Sequence, residues 1–173
     1  SVVLTLFGES HGPYIGVVID GLSAGLKVDE EFINLQLAKR RPTLSIETSR
    51  VEKDNYEIIS GVMNGYTTGM PLCIIIPNEN TRSGDYDKNH GLARPSHADY
   101  VAHIKYGGFE DYRGGGHFSG RLTAGIVAAG AICLDALKKK NILIGTHILR
   151  CGKVTDKNFD NVPKNNPDRR FKV

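Results

Sequence analysis

The sequence contains no tryptophan, two methionines and three cysteines in 173 residues. Cys73, Cys133 and Cys151 are odd in number and widely spaced, with no CxxC pair. That usage argues against a disulfide framework or a zinc knuckle and suits a reducing, cytoplasmic compartment. No apolar run approaches the length that spans a bilayer, and no secretory signal is legible. Charge of one sign is scarce as well: 22 Lys and Arg stand against 19 Asp and Glu, a net +3. So mild a balance gives no reason to expect nucleic acid or a membrane surface as partner. Several catalytic signatures are missing. There is no GxxxxGK phosphate loop, no GxGxxG after a strand and no HExxH, so no metal site is expected. Ser10-His11 does not sit in a GxSxG elbow. The opening into Val2-Val3-Leu4 without Met, and the ending at Val173, read as the ends of a piece of a longer chain.

Glycine, in contrast, is plentiful, at 20 residues. Its densest run is Gly114 to Gly116, within Asp111-Tyr-Arg-Gly-Gly-Gly-His-Phe-Ser-Gly-Arg-Leu-Thr123. Such a run lets the backbone turn sharply and approach other groups closely. Arg113 and Arg121 flank it, with the Ser119 and Thr123 hydroxyls nearby. The spacing predicts a small-residue, apolar helix over 119–140, central in the fold. The loop would then feed a helix N-terminus, where free amides favour an anion. A plain connecting turn explains these residues equally well.

Earlier in the chain, Val2–Phe7 and Tyr14–Ile19 are β-branched runs around the polar loop Gly8-Glu-Ser-His-Gly12, the outline of a hairpin. His11 is thereby held on a rigid frame. Asp29 is expected to cap a helix over 30–39, ending in Lys39-Arg40-Arg41 before Pro42. Tyr56–Met63 and Pro71–Ile76 read as paired strands, with 72–76 buried on both faces. A polar stretch follows from Asn78 to about His97, carrying Arg82, Ser83, Asp85, Tyr86, Arg94 and His97. Connections of this length tend to be binding loops. A short helix is expected over 99–105, a strand over 142–149, and a turn-rich tail over 155–170. The residues alone support an α+β protein whose arginine-rich loops suit a small, multiply anionic ligand.

Taken together, several segments resemble the chorismate synthase family. They are Phe7-Gly-Glu-Ser-His-Gly12, Asp20-Gly21 with Ala24-Gly-Leu26, Arg40-Arg-Pro42, Ile59-Ser-Gly-Val62 with Thr67-Thr-Gly69, and Arg82-Ser83 with Asp85-Tyr86. Arg94-Pro-Ser-His-Ala-Asp-Tyr100, Lys105-Tyr106 and Asp111-Tyr-Arg-Gly-Gly-Gly116 with Ser119, Arg121 and Thr123 complete the series, in family order. The resemblance implies a β-α-β sandwich, of which residues 1–173 would be a single, incomplete N-terminal domain. It implies a lyase of aromatic amino-acid biosynthesis that converts 5-enolpyruvylshikimate 3-phosphate to chorismate by 1,4-anti elimination. Reduced FMN would be the cofactor, with NADP associated with some members, and the assembly a cytoplasmic homotetramer. By the same resemblance His11 would stand near the flavin and His97 near the departing phosphate. Arg40, Arg50, Arg94 and Arg121 would bind phosphate and carboxylates, and Ser119 with Arg121 would contribute to the flavin site. Where many members carry arginine, serine and glutamate, this chain has His117, Phe118 and Leu122; Ile46 replaces a frequent arginine. The 173-residue piece alone is expected to be inactive, since the proton-removing aspartate would lie beyond it. The alternative is a non-catalytic module that binds a phosphorylated metabolite through the same loops.

Overall fold

The computed structural model describes residues 1–42, 52–79 and 91–158. The chain falls into two compact units, Ser1–Ala136 and Leu137–Val173. As expected, the class is α+β, built on antiparallel strands.

In the first unit β1 (Val3–Gly8) and β2 (Tyr14–Asp20) form the hairpin that the two β-branched runs predict. β2 then pairs with β6 (Leu72–Pro77), and β6 with β3 (Glu57–Ser60), giving the order β1-β2-β6-β3. The register sets Ile15 opposite Ile76, Val17 opposite Ile74 and Ile19 opposite Leu72. Because side chains alternate across a sheet, these six share one face, and all are fully buried. Cys73 and Ile75, on the opposite face of β6, are only partly covered. The expectation that 72–76 is buried on both faces therefore holds for one face. Between β3 and β6, the short strands β4 (Val62–Met63) and β5 (Tyr66–Thr67) form their own hairpin.

Helix α1 (Glu30–Ala38) begins where Asp29 caps it, the Asp29 side chain accepting from Phe32 N at 2.9 Å. Its Ile33 and Leu37 enter the core. Helix α2 (Asp99–Tyr106) matches the expected short helix. Helix α3 (Thr123–Lys138) is shorter than the 119–140 expected, because Ser119 is extended and a 3₁₀ turn (Gly120–Leu122) intervenes. Ala124, Ala128 and Ala129 of α3 are fully buried against the same core. By length and composition Gly120–Lys138 does reach the apolar length of a membrane span, contrary to the sequence expectation. Its fully buried alanines are those of a core helix.

In the second unit the strand expected over 142–149 is absent among the described residues. The ladder lies just beyond it, between β7 (Arg150–Cys151) and β8 (Val154–Thr155). A strand exists only where a partner can accept its hydrogen bonds, and the tight turn through Gly152 supplies that partner to 150–151.

Candidate active site

The glycine run folds into an irregular turn, Arg113–Phe118, in which Gly114, Gly115 and Gly116 all have positive φ (59°, 87° and 54°). An ideal Cβ on Gly114 would lie 2.5 Å from His11 Cδ2, so this backbone is pressed directly against the imidazole. A Cβ position on Gly115 is 3.5 Å from Arg94 Nη2 and 3.9 Å from Ser119 Cβ. The turn thus gathers His11 and Arg94 from loops far apart in sequence beside Ser119, which directly follows it. It does not open straight into α3 as expected. The 3₁₀ turn stands between, and the Leu122 amide is already bonded to Ser119 O at 3.2 Å. The Ser119 hydroxyl accepts from Arg121 N at 3.3 Å.

The β1–β2 loop that carries His11 is held from two directions. Ser10, fully buried, donates its amide to Gly116 O at 3.0 Å, and His117 Nδ1 lies 2.9 Å from Gly8 O. From the other direction Asn78 donates its side-chain amide to Glu9 O (3.0 Å) and Gly12 O (2.8 Å). His11 is half-buried within this brace. The backbone beneath the histidine is thereby fixed, and the contact with Gly114 limits where its ring can lie.

Carboxylates organise the cations. Arg94 donates Nε and its own amide to Asp99 Oδ2 at 2.8 and 3.0 Å, and Nη2 to Oδ1 at 2.9 Å. The Arg94 side-chain bonds, partly opposed by burial, bring the Asp99 pKa down to about 2. Arg113 grips Asp111 in the same fork, with Nε to Oδ1 at 2.8 Å and Nη2 to Oδ2 at 2.7 Å. Those bonds hold the Asp111 carboxyl below its ordinary range, and the nearby His11 adds a smaller push in that direction. His97 lies exposed beside the Arg94–Asp99 pair, its Nδ1 3.0 Å from Pro95 O. Arg40 Nη1 meets Asp54 Oδ2 at 3.0 Å, while Arg121 Nη1 bonds Asp54 Oδ1. Burial pulls the Arg40 pKa below its ordinary value; Asp54 opposes that and Arg121 reinforces it. Arg50 lies outside the described residues, as do Ile46, Arg82, Ser83, Asp85 and Tyr86.

A depressed folded-state pKa stabilises the fold above the unfolded value and loses that contribution as pH falls through the folded one. The Asp99 interaction is therefore expected to be complete above the usual carboxylate range near pH 4 and to fade towards pH 2. Urea unfolding followed from pH 6 to pH 2 should show a component that Asp99→Asn removes. An identical pH dependence in that variant would contradict the assignment.

A family model described as chorismate synthase matches residues 2–172. This chain belongs to the chorismate synthase family. It is 53% identical over 154 residues to the chorismate synthase of Wolinella succinogenes, covering 88% of this chain and 42% of that protein. The Pyrococcus abyssi chorismate synthase is 48% identical over 153 residues, covering 88% of this chain and 43% of that protein. A chorismate synthase crystal structure superposes with a TM-score of 0.63 at 32% identity, covering 90% of this chain and 39% of that one. The chain thus spans less than half the length of these chorismate synthases.

The departures from the family pattern now have local accounts. Leu122 is 4% exposed and belongs to the core. His117 bonds the β1–β2 loop, and Phe118 lies 6.3 Å from Tyr106, centroid to centroid. Both border a cleft of about 410 Å³, lined also by Glu9, Phe109, Tyr112 and Gly115. Sequence reasoning missed Asp54 and Asn78. Each is a lone polar residue in a polar stretch, and only the positive φ of Asp54 (54°) marks its backbone as unusual.

Proposed function

We propose that this chain forms part of a chorismate synthase that eliminates phosphate and a C6 hydrogen from 5-enolpyruvylshikimate 3-phosphate, with reduced FMN as cofactor. The observation that carries the reading is the seating of His11 on Gly114 beside Arg94 and Ser119. It gives a titratable group, a guanidinium and a hydroxyl one shared wall. In the elimination the C3–O bond to phosphate and the C6–H bond break. The C1=C2 double bond shifts to C2=C3 and a C1=C6 double bond forms, with the C6 proton passing to a base outside residues 1–173.

The fit to a flavin differs along the molecule. The cleft beside Gly115, with Tyr106, Phe109, Tyr112 and Phe118 on its walls, suits a flat aromatic ring. The Glu9, Asp99, Glu110 and Asp111 carboxyls that also line it do not suit a phosphate tail. When bound, the reduced isoalloxazine supplies electron density to the allylic phosphate carbon. With a flavin bound, His11, braced by the loop, would hold or pass a proton beside it, the imidazole being the side chain suited to that at neutral pH. His97 lends its proton to the departing phosphate. Arg94 offers a cation at the turn, its fork fixed by Asp99, and Arg40, Arg50 and Arg121 supply further positive charge for the carboxylates and phosphate. Ser119 adds a hydroxyl donor, and the homotetramer and cytoplasmic setting belong to the same reading.

The complete polypeptide, at the length of its relatives, is to be incubated anaerobically with the substrate and chemically reduced FMN. Chorismate should accumulate. Substrate binding without chorismate would favour the non-catalytic module instead. His97→Ala is expected to lower turnover by about 10²-fold with unchanged circular dichroism. A rate within a factor of about two of the parent removes His97 from the proton-transfer step.

A further inference from the structure

The region around Asp54 differs from the other arginine–carboxylate pairs, because one carboxylate serves two guanidiniums. Asp54 Oδ2 accepts from Arg40 and Asp54 Oδ1 from Arg121, and the Asp54 side chain is only 3% exposed. Arg121 is seated from three directions: Asp54, Asn78 Oδ1 at 2.8 Å from Nε, and Pro77 O at 3.0 Å from Nη2. Its side chain is 5% exposed, and each of its three nitrogens already donates to a protein acceptor. Arg40 uses Nη2 on Gly120 O (3.3 Å) and Thr123 Oγ1 (3.0 Å), yet its side chain remains 21% exposed. A guanidinium carries five N–H donors, and among the described residues the Nε–H of Arg40 meets no partner.

We infer that Asp54 is a positioning residue that fixes the two arginines as a unit, with Arg121 the buried anchor and Arg40 the cation offered to an oxyanion. The inference rests on the proposed reading of the arginines as anion-binding groups and divides that role between them. Two guanidiniums at one carboxylate repel each other. Without the shared acceptor they separate, and the geometry at the start of α3 is lost.

Charge and geometry predict opposite results. Asp54→Asn removes a negative charge, which by charge alone tightens anion binding; loss of the fixed pair weakens it. Inorganic phosphate is the probe, titrated calorimetrically into the complete polypeptide at fixed ionic strength, with circular dichroism to confirm folding. Arg40→Lys should abolish most of the signal, and Asp54→Asn should weaken phosphate binding by about tenfold. The KM for the phosphorylated substrate should rise more than kcat falls. If Asp54→Asn does not fold, Thr123→Val serves, since it removes the hydroxyl that accepts from Arg40 Nη2 and donates to Gly120 O; about threefold weaker binding is expected. Unchanged or tighter phosphate binding in the folded variants overturns the inference, as does insensitivity to Arg40→Lys or the absence of phosphate binding by the parent. Phosphate results as expected without any chorismate would overturn the proposed function and leave the role of Asp54 standing.

Discussion

Gly116→Ala is expected to destabilise the protein by about 3 kcal/mol or more, read as a fall in the urea midpoint. Gly116 has φ 54° and ψ −125°, a region that residues with a Cβ scarcely populate. A Cβ there would also stand 2.0 Å from Asp111 O, a backbone atom that cannot swing aside. The strain does not stay local. Gly116 O accepts from the Ser10 amide, so any shift of the turn drags the loop that carries His11. Gly115→Ala is the control within the same turn. Its nearest neighbour would be Arg94 Nη2 at 3.5 Å, ordinary contact with a side-chain tip. Only the positive φ then opposes the substitution, for a cost of roughly 1–2 kcal/mol. Equal losses at 115 and 116 would show that backbone hand alone matters and that the Asp111 contact does not.

His11→Ala is expected to lower chorismate formation by about 10²- to 10⁴-fold, the range of a lost general acid or base. The structure supplies a second route to the same defect. A Cβ on Gly114 would lie 2.5 Å from His11 Cδ2 and 2.6 Å from Nε2, with the buried Ser10 Oγ at 3.1 Å, so Gly114→Ala must push the imidazole off its seat. The variant keeps the histidine and its chemistry but moves it. Its turnover should therefore fall towards that of His11→Ala while the stability loss stays near that of Gly115→Ala. Parental turnover in Gly114→Ala would mean that the placement of His11 against the turn is irrelevant to the reaction. The comparison separates position from identity, which alanine at 11 alone cannot do.

The parts of the fold that were legible are those set by local chemistry. β-branched runs around a polar loop gave β1 and β2, and Asp29 before Glu30-Glu31 marked the start of α1. Residues 142–149 have comparable apolar character but no partner strand among the described residues, and pairing is not encoded within the segment that needs it. The two glycine loops that stand out in the sequence, Gly8–Gly12 and Gly114–Gly116, do meet. The destination of each arginine was not legible. Arg121 is flanked by Ser119 and Thr123 and reads as a ligand-binding cation, yet its guanidinium is buried against a carboxylate 67 positions away. Nothing in Lys53-Asp54-Asn55 distinguishes that carboxylate from a solvated one. A buried charge pair is a property of the assembled core and becomes visible only when the elements are in place.

The elimination proposed at the wall formed by His11 and the glycine turn is redox-neutral. Its most direct measurement is stoichiometry: phosphate released, chorismate formed and reduced FMN remaining, followed together in anaerobic turnover of the complete polypeptide. One phosphate for each chorismate, with the reduced flavin undiminished, is the predicted result. Phosphate release without chorismate, or reduced FMN consumed in proportion to product, would contradict it.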